Sequence, residues 1–512
     1  MNNLGKNQTG QRQIAYNAVM LYIRMAVIML VSLYISRIVL NELGEIDFGI
    51  YNIVGSVVVS LTFVQNTLVS STQRFFSYEI GKGDYDELKR VFSMSINIHA
   101  VLIVIVCIFL ETVGLYFLNY VLNIPDERMY AANVAYQFTI FTFAANLIRI
   151  PYNAIIFSFE RMSAFAILSI FEAILKLVIA YWLIVTSQDK LIVYSILIFV
   201  ITVLINSLYI YYCRKNYRNT IQYYYFKDVN LLKKMLGFSG WNFLGGVTSI
   251  ATSEGPNYFM NIFIGVRINA AMGIAKQVTS AIYQFASNFQ TAFNPQIVKS
   301  YAANEKEYLW SLVDNASKLS YYLLFLLALP IILNSDYIFT TWLGKVPEYS
   351  IQISVLLILS QFIAALSAPL WMLAHATGDI KRYQVLLSII NLTIIPVTWV
   401  LLYLKFSILW IFVYRIIIGM MVFAYRVIFL RNKVQFPCRR YILNIFKRSF
   451  CPSLLIIPIP FFLAFKLSGL LGLLLSGSIS VLLTCVVFYY VAIDSNMRQA
   501  INKMALSQIR RS

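Results

Sequence analysis

Charge is scarce in this 512-residue chain: Asp, Glu, Lys and Arg together make up 12%, about half the ~25% usual in soluble domains. With 60% apolar residues and a mean hydropathy of +0.72, that shortage excludes an ordinary water-soluble globule. Cysteine is sparse too. The five cysteines form no CxxC, which argues against both a disulfide framework and a zinc site. There are two histidines, His99 and His375. Neither has a second His or a carboxylate at ligand spacing, so no metal site and no cofactor are expected. Long polar stretches are missing as well. Nothing here would hold a nucleotide-sugar domain, and the loops expected outside are roughly a dozen residues at most, too short for an extracytoplasmic catalytic site. An enzyme is therefore not expected. Finally, no cleavable signal precedes the first apolar run, which follows the polar start MNNLGKNQTGQRQ and is too long for a signal h-region. That run is expected to stay in the protein.

What fills the chain instead is one apolar run after another. A membrane helix needs about 20 mostly apolar residues. Fourteen stretches qualify, near 13–38, 48–77, 92–121, 131–158, 162–186, 190–213, 236–264, 268–298, 308–335, 350–377, 383–404, 406–430, 448–467 and 469–492. The loops test that count, because Lys and Arg concentrate on the cytoplasmic side. With the N-terminus inside, 26 of the 41 basic residues fall in cytoplasmic segments, six in the opposite loops and nine inside spans. An odd number of missed or false helices would mix the two classes. The expected protein is thus all-α and multi-pass, with both termini cytoplasmic. The net charge of +19 follows mostly from topology and anionic lipid, and nucleic acid is not an expected partner.

The second and eighth spans resemble each other. GIYNIVGSVVVSLTFVQNTLVSSTQRFFSYEIGKGDY begins at Gly49, and GIAKQVTSAIYQFASNFQTAFNPQIVKSYAANEKEY begins at Gly273. At an offset of 223, Gln73 matches Gln296, Ser77 matches Ser300, Tyr78 matches Tyr301 and Tyr85 matches Tyr308. The fourth and tenth spans echo this: Pro151 precedes Glu160-Arg161 by the interval at which Pro369 precedes Gly378-Asp379. Six helices separate the partners, so two six-helix lobes of like orientation are expected. They cover 1–222 and 223–431, with 432–512 forming a terminal helix pair and a basic tail.

The stretches DFGIYNIVGSVVVSLTF and SSTQRFFSYEIGKGD resemble the second helix and following loop of bacterial oligosaccharide flippases. GWNFLGG and NAAMGIAKQVTSAIYQFASNFQTAFNPQIVKSYAA resemble the seventh and eighth helices of the same group. These are the Wzx-like members of the multidrug/oligosaccharidyl-lipid/polysaccharide exporter (MOP) superfamily. The resemblance runs from about residue 12 to about 430. It implies two lobes in a MATE-like V arrangement and alternating access. It also implies flipping of undecaprenyl-diphosphate-linked oligosaccharide to the outer leaflet for O-antigen, capsule or exopolysaccharide synthesis. Partners would be the lipid-linked oligosaccharide, membrane lipids, and the polymerase and glycosyltransferases of the pathway. A lipid II flippase and a cation-coupled multidrug antiporter of the same superfamily are the alternatives.

Charges inside spans are costly, about 2.5–3.5 kcal/mol each on insertion scales, so they mark candidate sites. Arg24 lies about 11 residues into the first span, roughly 16 Å deep at 1.5 Å per residue. Asn17 is seven residues earlier on the same face. A guanidinium there suits a diphosphate, and an interhelical ion pair is the structural alternative. Lys276 and Glu254 fall at similar depth in adjacent spans. They either pair permanently or link anion binding to a proton or sodium gradient. Glu254-Gly255-Pro256 is expected to interrupt its helix. Arg149 and Arg415 lie mid-span and either line a cavity or pair within a lobe. Glu172 and Lys176 have the spacing of an intrahelical ion pair. Arg37, Arg74, Lys318 and Arg426 lie near span ends and are expected to snorkel. Gln65, Asn66, Asn288, Gln290 and Asn294 give the second and eighth spans a polar stripe, for sugar hydroxyls or for interhelical hydrogen bonds.

Overall fold

The computed structural model describes residues 2–159, 161–218, 221–225, 228–377, 380–467 and 469–492, without the side chains of 2–22, 63–68, 234–245 and scattered positions elsewhere. The described residues form helices and no strands. Fifteen helices follow in chain order: α1 (Asn2–Val59), α2 (Thr62–Lys82), α3 (Tyr85–Tyr120), α4 (Met129–Ser158), α5 (Met162–Val185), α6 (Lys190–Asn216), α7 (Val229–Ile264), α8 (Val266–Ala302), α9 (Lys306–Leu333), α10 (Ser335–Leu343), α11 (Ser350–Ala376), α12 (Lys381–Tyr403), α13 (Leu409–Val434), α14 (Cys438–Lys466) and α15 (Gly469–Val491). Eleven segments among the described residues are long and apolar enough to cross a membrane. The long helices α2, α7 and α8 cover the other predicted spans. The chain is a multi-pass membrane protein.

Two departures from the sequence reading have local causes. The first predicted span and the start of the second are joined in α1, with the rest of the second in α2, and α1 kinks at Gly44 (φ 72°, ψ 174°). That backbone is open to glycine and nearly closed to other residues. In α7 the helix runs unbroken through Pro256, so the expected interruption does not occur. A membrane helix tolerates the one lost hydrogen bond when nearby side chains and backbone adjust.

Three helix starts carry aspartate caps. Asp84 accepts from the Glu87 N–H at the start of α3. Asp189 accepts from Leu191 and Ile192 at the start of α6, and Asp228 from Asn230 and Leu231 at the start of α7. Each carboxylate satisfies orphan N–H groups and faces the positive end of the helix dipole.

The chain divides into two compact units, residues 1–273 and 274–512. In the first, α4 packs on α6, and α1 on α5. An ionic cluster fastens the kink of α1 to the ends of α4 and α6. Arg128 donates to both Asp47 oxygens at 2.7 and 2.6 Å and to Asp189 at 2.7 Å. Lys190 donates to Glu42 at 2.6 Å. The hydrogen bond from Arg128 holds the Asp189 carboxyl below its ordinary pKa, against the opposing effect of burial. A depressed carboxyl stabilises the fold above its unfolded pKa, about 3.9, and that contribution disappears as pH falls through the folded value. The contribution of Asp189 to the parent's thermal midpoint should therefore be lost below about pH 4. Asp189→Asn should start lower at pH 7 and show a shallower acid loss. Parallel curves for the two proteins would contradict this.

The repeat's glycines acquire a packing reason. A Cβ on Gly49 would overlap the Val266 carbonyl, and one on Gly273 would overlap the Asn52 side chain. The 45–59 arm of α1 and the first turns of α8 thus meet closely at both glycines. A buried Asn network holds the α7–α8 corner beside them. Asn261 donates to Asn269 at 2.8 Å, Asn269 donates to Asn257 at 2.9 Å, and the Asn123 N–H donates to Asn261 at 2.8 Å. Gly49→Ala should cost about 3 kcal/mol, the upper end for overpacking, because a backbone carbonyl has no rotamer to escape into. Gly55→Ala has open space around it and should be neutral. Thermal unfolding of the two purified variants checks the contrast, and equal midpoints would refute it.

In the second unit, α11 packs on α13 and on α9, and α9 also packs on α15. Its core includes Trp310, Tyr321, Tyr322, Phe325, Leu370 and Tyr383. Lys318 is 1% exposed and 3.0 Å from Asp314, one turn away. It is a buried ion-paired residue and does not snorkel. Its partner lies at the i−4 position of the same helix, and a buried charge needs such an opposite charge close by.

Candidate functional site

A cavity of about 520 Å³ opens inside the first unit, among α1, α4, α5 and α6. That lies within the ~300–1,000 Å³ of small-molecule sites. Its charged lining residues are Arg24, Arg149, Lys176 and Glu172, three cations and one anion. Each is placed by a helix face. Phe165, Ser169, Glu172 and Lys176 follow at helical spacing along α5 and form one stripe into the cavity. Arg149 and Asn153 are one turn apart on α4 and face the same space. Tyr51 and Tyr194 meet edge to face, with centroids 4.9 Å apart, and complete an aromatic wall.

The one carboxylate is divided between two bases. Glu172 Oε2 accepts from Arg149 at 3.0 Å and Oε1 accepts from Lys176 at 2.7 Å. The predicted Glu172–Lys176 pair forms, and Arg149 joins it from the neighbouring helix. Arg149 also lies 5.4 Å from the Tyr209 ring. Arg24 has different surroundings. Its guanidinium sits 4.3 Å over the Phe165 ring, a cation–π contact, and its Nε is buried without a hydrogen-bond partner. The Oδ1 of Asn153 is likewise buried and unpartnered. A cation stacked on an aromatic face, with an unused donor and an unused acceptor on residues lining the same cavity, is equipped to bind an oxyanion carrying hydroxyls.

The other candidates lie elsewhere. Glu254 is buried in α7, 6% exposed. Lys276 on α8 and Arg415 on α13 are half-buried and belong to residues 274–512. The side chains of Asn17, Asn66 and Asn288 lie outside the described residues. Gln290 of the polar stripe is buried and donates to the Ala365 carbonyl at 3.0 Å, which makes it an interhelical tie. Arg426 does not snorkel. It is half-buried and donates to the Ser367 carbonyl and hydroxyl at 3.1 and 2.7 Å. Sequence reasoning missed Phe165, Asn153, Tyr51, Tyr194 and Tyr209. The signal was present for two of them: Asn153 is one turn from Arg149, and Phe165 is two turns before Glu172.

Comparison with known proteins fits this architecture. Residues 21–182 match the MatE family model, and every charged residue of the cavity falls inside that segment. No curated protein matches the chain in sequence. Among solved structures, the lipid II flippase MurJ in an inward closed conformation is 12% identical with a TM-score of 0.67, covering 92% of this chain and 98% of its own. A multidrug resistance MATE family transporter of the MOP superfamily, outward-facing, is 15% identical with a TM-score of 0.58, covering 82% and 95%. The eukaryotic MATE transporter AtDTX14 is 16% identical with a TM-score of 0.59, covering 84% and 98%. The fold is that of MOP-superfamily transporters. The MatE family and these neighbours are transporters, not enzymes.

Proposed function

We propose that the protein moves a polyprenyl-diphosphate-linked oligosaccharide across the bacterial inner membrane by alternating access, for surface polysaccharide synthesis. The observation that carries this reading is the excess of positive charge in the α1–α4–α5–α6 cavity, where one carboxylate faces three bases. A cation antiporter needs the opposite balance. A diphosphate brings two or more negative charges and planar groups of oxygens that guanidinium matches. Asn153 and the tyrosines offer partners for sugar hydroxyls, while the polyprenyl tail stays in lipid. The 26-to-6 distribution of basic residues in loops supports cytoplasmic termini.

Lipid II flipping is the second reading, favoured by the extent of the MurJ likeness, 92% of this chain. It uses the same diphosphate chemistry. Proteoliposomes separate the readings when offered undecaprenyl-diphosphate oligosaccharide, lipid II and a cationic dye in parallel. Protein-dependent appearance of the oligosaccharide in the opposite leaflet is the expected result. Movement of lipid II alone would install the second reading, and movement of the dye alone would overturn both.

A further inference from the structure

The second unit contains a polar cluster that the cavity above does not use. At the spacing that separates Pro151 from Pro369, Arg149 falls on Ser367, Asn153 on Trp371 and Phe165 on Tyr383. Three positions around the first cavity therefore have counterparts on α11 and α12. In the first unit Phe165 carries the Arg24 guanidinium. In the second unit Tyr383 has a guanidinium as neighbour too, but it comes from α13, as Arg426. The rest of the surroundings are polar. Arg426 donates to Ser367 through Nη1, and among the described residues no carboxylate pairs with it. His375 packs against Trp371 with ring planes tilted by 48° and centroids 4.2 Å apart, and meets Tyr383 edge to face at 6.2 Å. Tyr283 of α8 also lies close enough to feel the Arg426 charge.

Two buried nitrogens here have no hydrogen-bond partner, Arg426 Nε and His375 Nε2, and the Tyr383 hydroxyl has none besides the Arg426 guanidinium that it faces. Tyr383 is 0% exposed. Buried polar groups are almost always satisfied, so unused polar atoms on and around a guanidinium with no carboxylate partner among the described residues point to a ligand. Two of them, the guanidinium N–H and the tyrosine O–H, are donors, and imidazole supplies a third in one tautomer. Donors clustered with a cation in this way select an anion with several oxygens.

We propose that Arg426, Tyr383, His375 and Ser367 form a second oxyanion site in the C-terminal unit, for a phosphate group. The phosphate is either free inorganic phosphate or the headgroup of a phospholipid-like polyprenyl substrate. The site stands on its own geometry and does not depend on the transport reading.

The test is equilibrium binding to the purified full-length protein carrying Arg24→Gln, so that the first cavity contributes least. Radiolabelled inorganic phosphate and farnesyl diphosphate are the probes. In that background Arg426→Gln should weaken binding about ten- to a hundredfold, the usual range for a lost charged hydrogen bond. Tyr383→Phe should weaken it about fivefold, with the thermal midpoint unchanged. Equal affinity for both probes would assign free phosphate, and a strong preference for farnesyl diphosphate would assign a lipid headgroup. Tyr383→Phe removes only one oxygen from a buried ring, so it decides the matter if Arg426→Gln fails to fold. Unchanged binding of both probes in the variants that fold, or no binding in the parent, would overturn the site.

Discussion

Arg24→Gln should reduce protein-dependent flipping of undecaprenyl-diphosphate oligosaccharide about ten- to a hundredfold, with membrane abundance and thermal midpoint near those of the parent. The magnitude is that of one charge-assisted hydrogen bond, about 1.5–3 kcal/mol, removed from a partly buried cavity. The stability half of the expectation follows from what Arg24 touches. It has no ion pair among the described residues, its Nε bonds nothing, and its main contact is the Phe165 ring, which glutamine still covers in part. Arg24→Lys should restore only part of the activity, because an ammonium keeps the charge and loses the bidentate fork. A purely structural Arg24 predicts the reverse pattern: falling abundance, with normal turnover per surviving molecule. Wild-type flipping by both variants would remove Arg24 from the site.

The way charge is distributed around this cavity also shows what the sequence could reveal. Depth was readable, since each apolar run fixes how far a residue sits from a membrane face. That placed Arg24 and Arg149 at mid-membrane, and the four-residue spacing of Glu172 and Lys176 gave their pair directly. Azimuth was not readable. Whether a base near a span end reaches water or turns inward depends on which neighbouring helix covers it. Arg426 and Lys318 therefore looked like snorkelling residues, whereas they bond Ser367 and Asp314. For Lys318 the partner stood one turn away in the sequence, and the pairing rule that identified Glu172–Lys176 applies equally there. The meeting of Arg24 with Phe165 is different in kind. Their helices, α1 and α5, are far apart in sequence, and only the packing of one on the other brings the ring under the guanidinium. The kink at Gly44 belongs to the same class. The glycine was visible, but the cluster of Glu42, Asp47, Arg128, Asp189 and Lys190 that holds the kinked helix draws on three separate loops and helix ends.

Glu172 carries the other large expectation, because removing it acts on binding and on stability in opposite senses. Its carboxylate neutralises one of two bases it bonds, so Glu172→Gln raises the cavity charge by one unit. An extra unit charge about 8 Å from a bound anion, at an effective dielectric near 20, is worth about 2 kcal/mol, or about thirtyfold in affinity. The oligosaccharide should therefore bind more tightly in Glu172→Gln, with a lower KM. Turnover should fall, because an anion held that strongly leaves the cavity slowly. The cost appears in the fold. Arg149 and Lys176 lose a shared partner; Arg149 and Glu172 are each 19% exposed and Lys176 37%, so the loss costs about 1–3 kcal/mol, below the ~3–5 of a fully buried pair because solvent screens the lysine. The thermal midpoint without ligand should drop, and saturating oligosaccharide should recover much of it, since ligand phosphate replaces the missing carboxylate between the two bases. Recovery by ligand separates this account from simple loss of a structural salt bridge, which predicts a midpoint that ligand leaves low. Weaker oligosaccharide binding in Glu172→Gln would show that the carboxylate orients the bases for the anion, and the charge excess would then no longer explain the cavity.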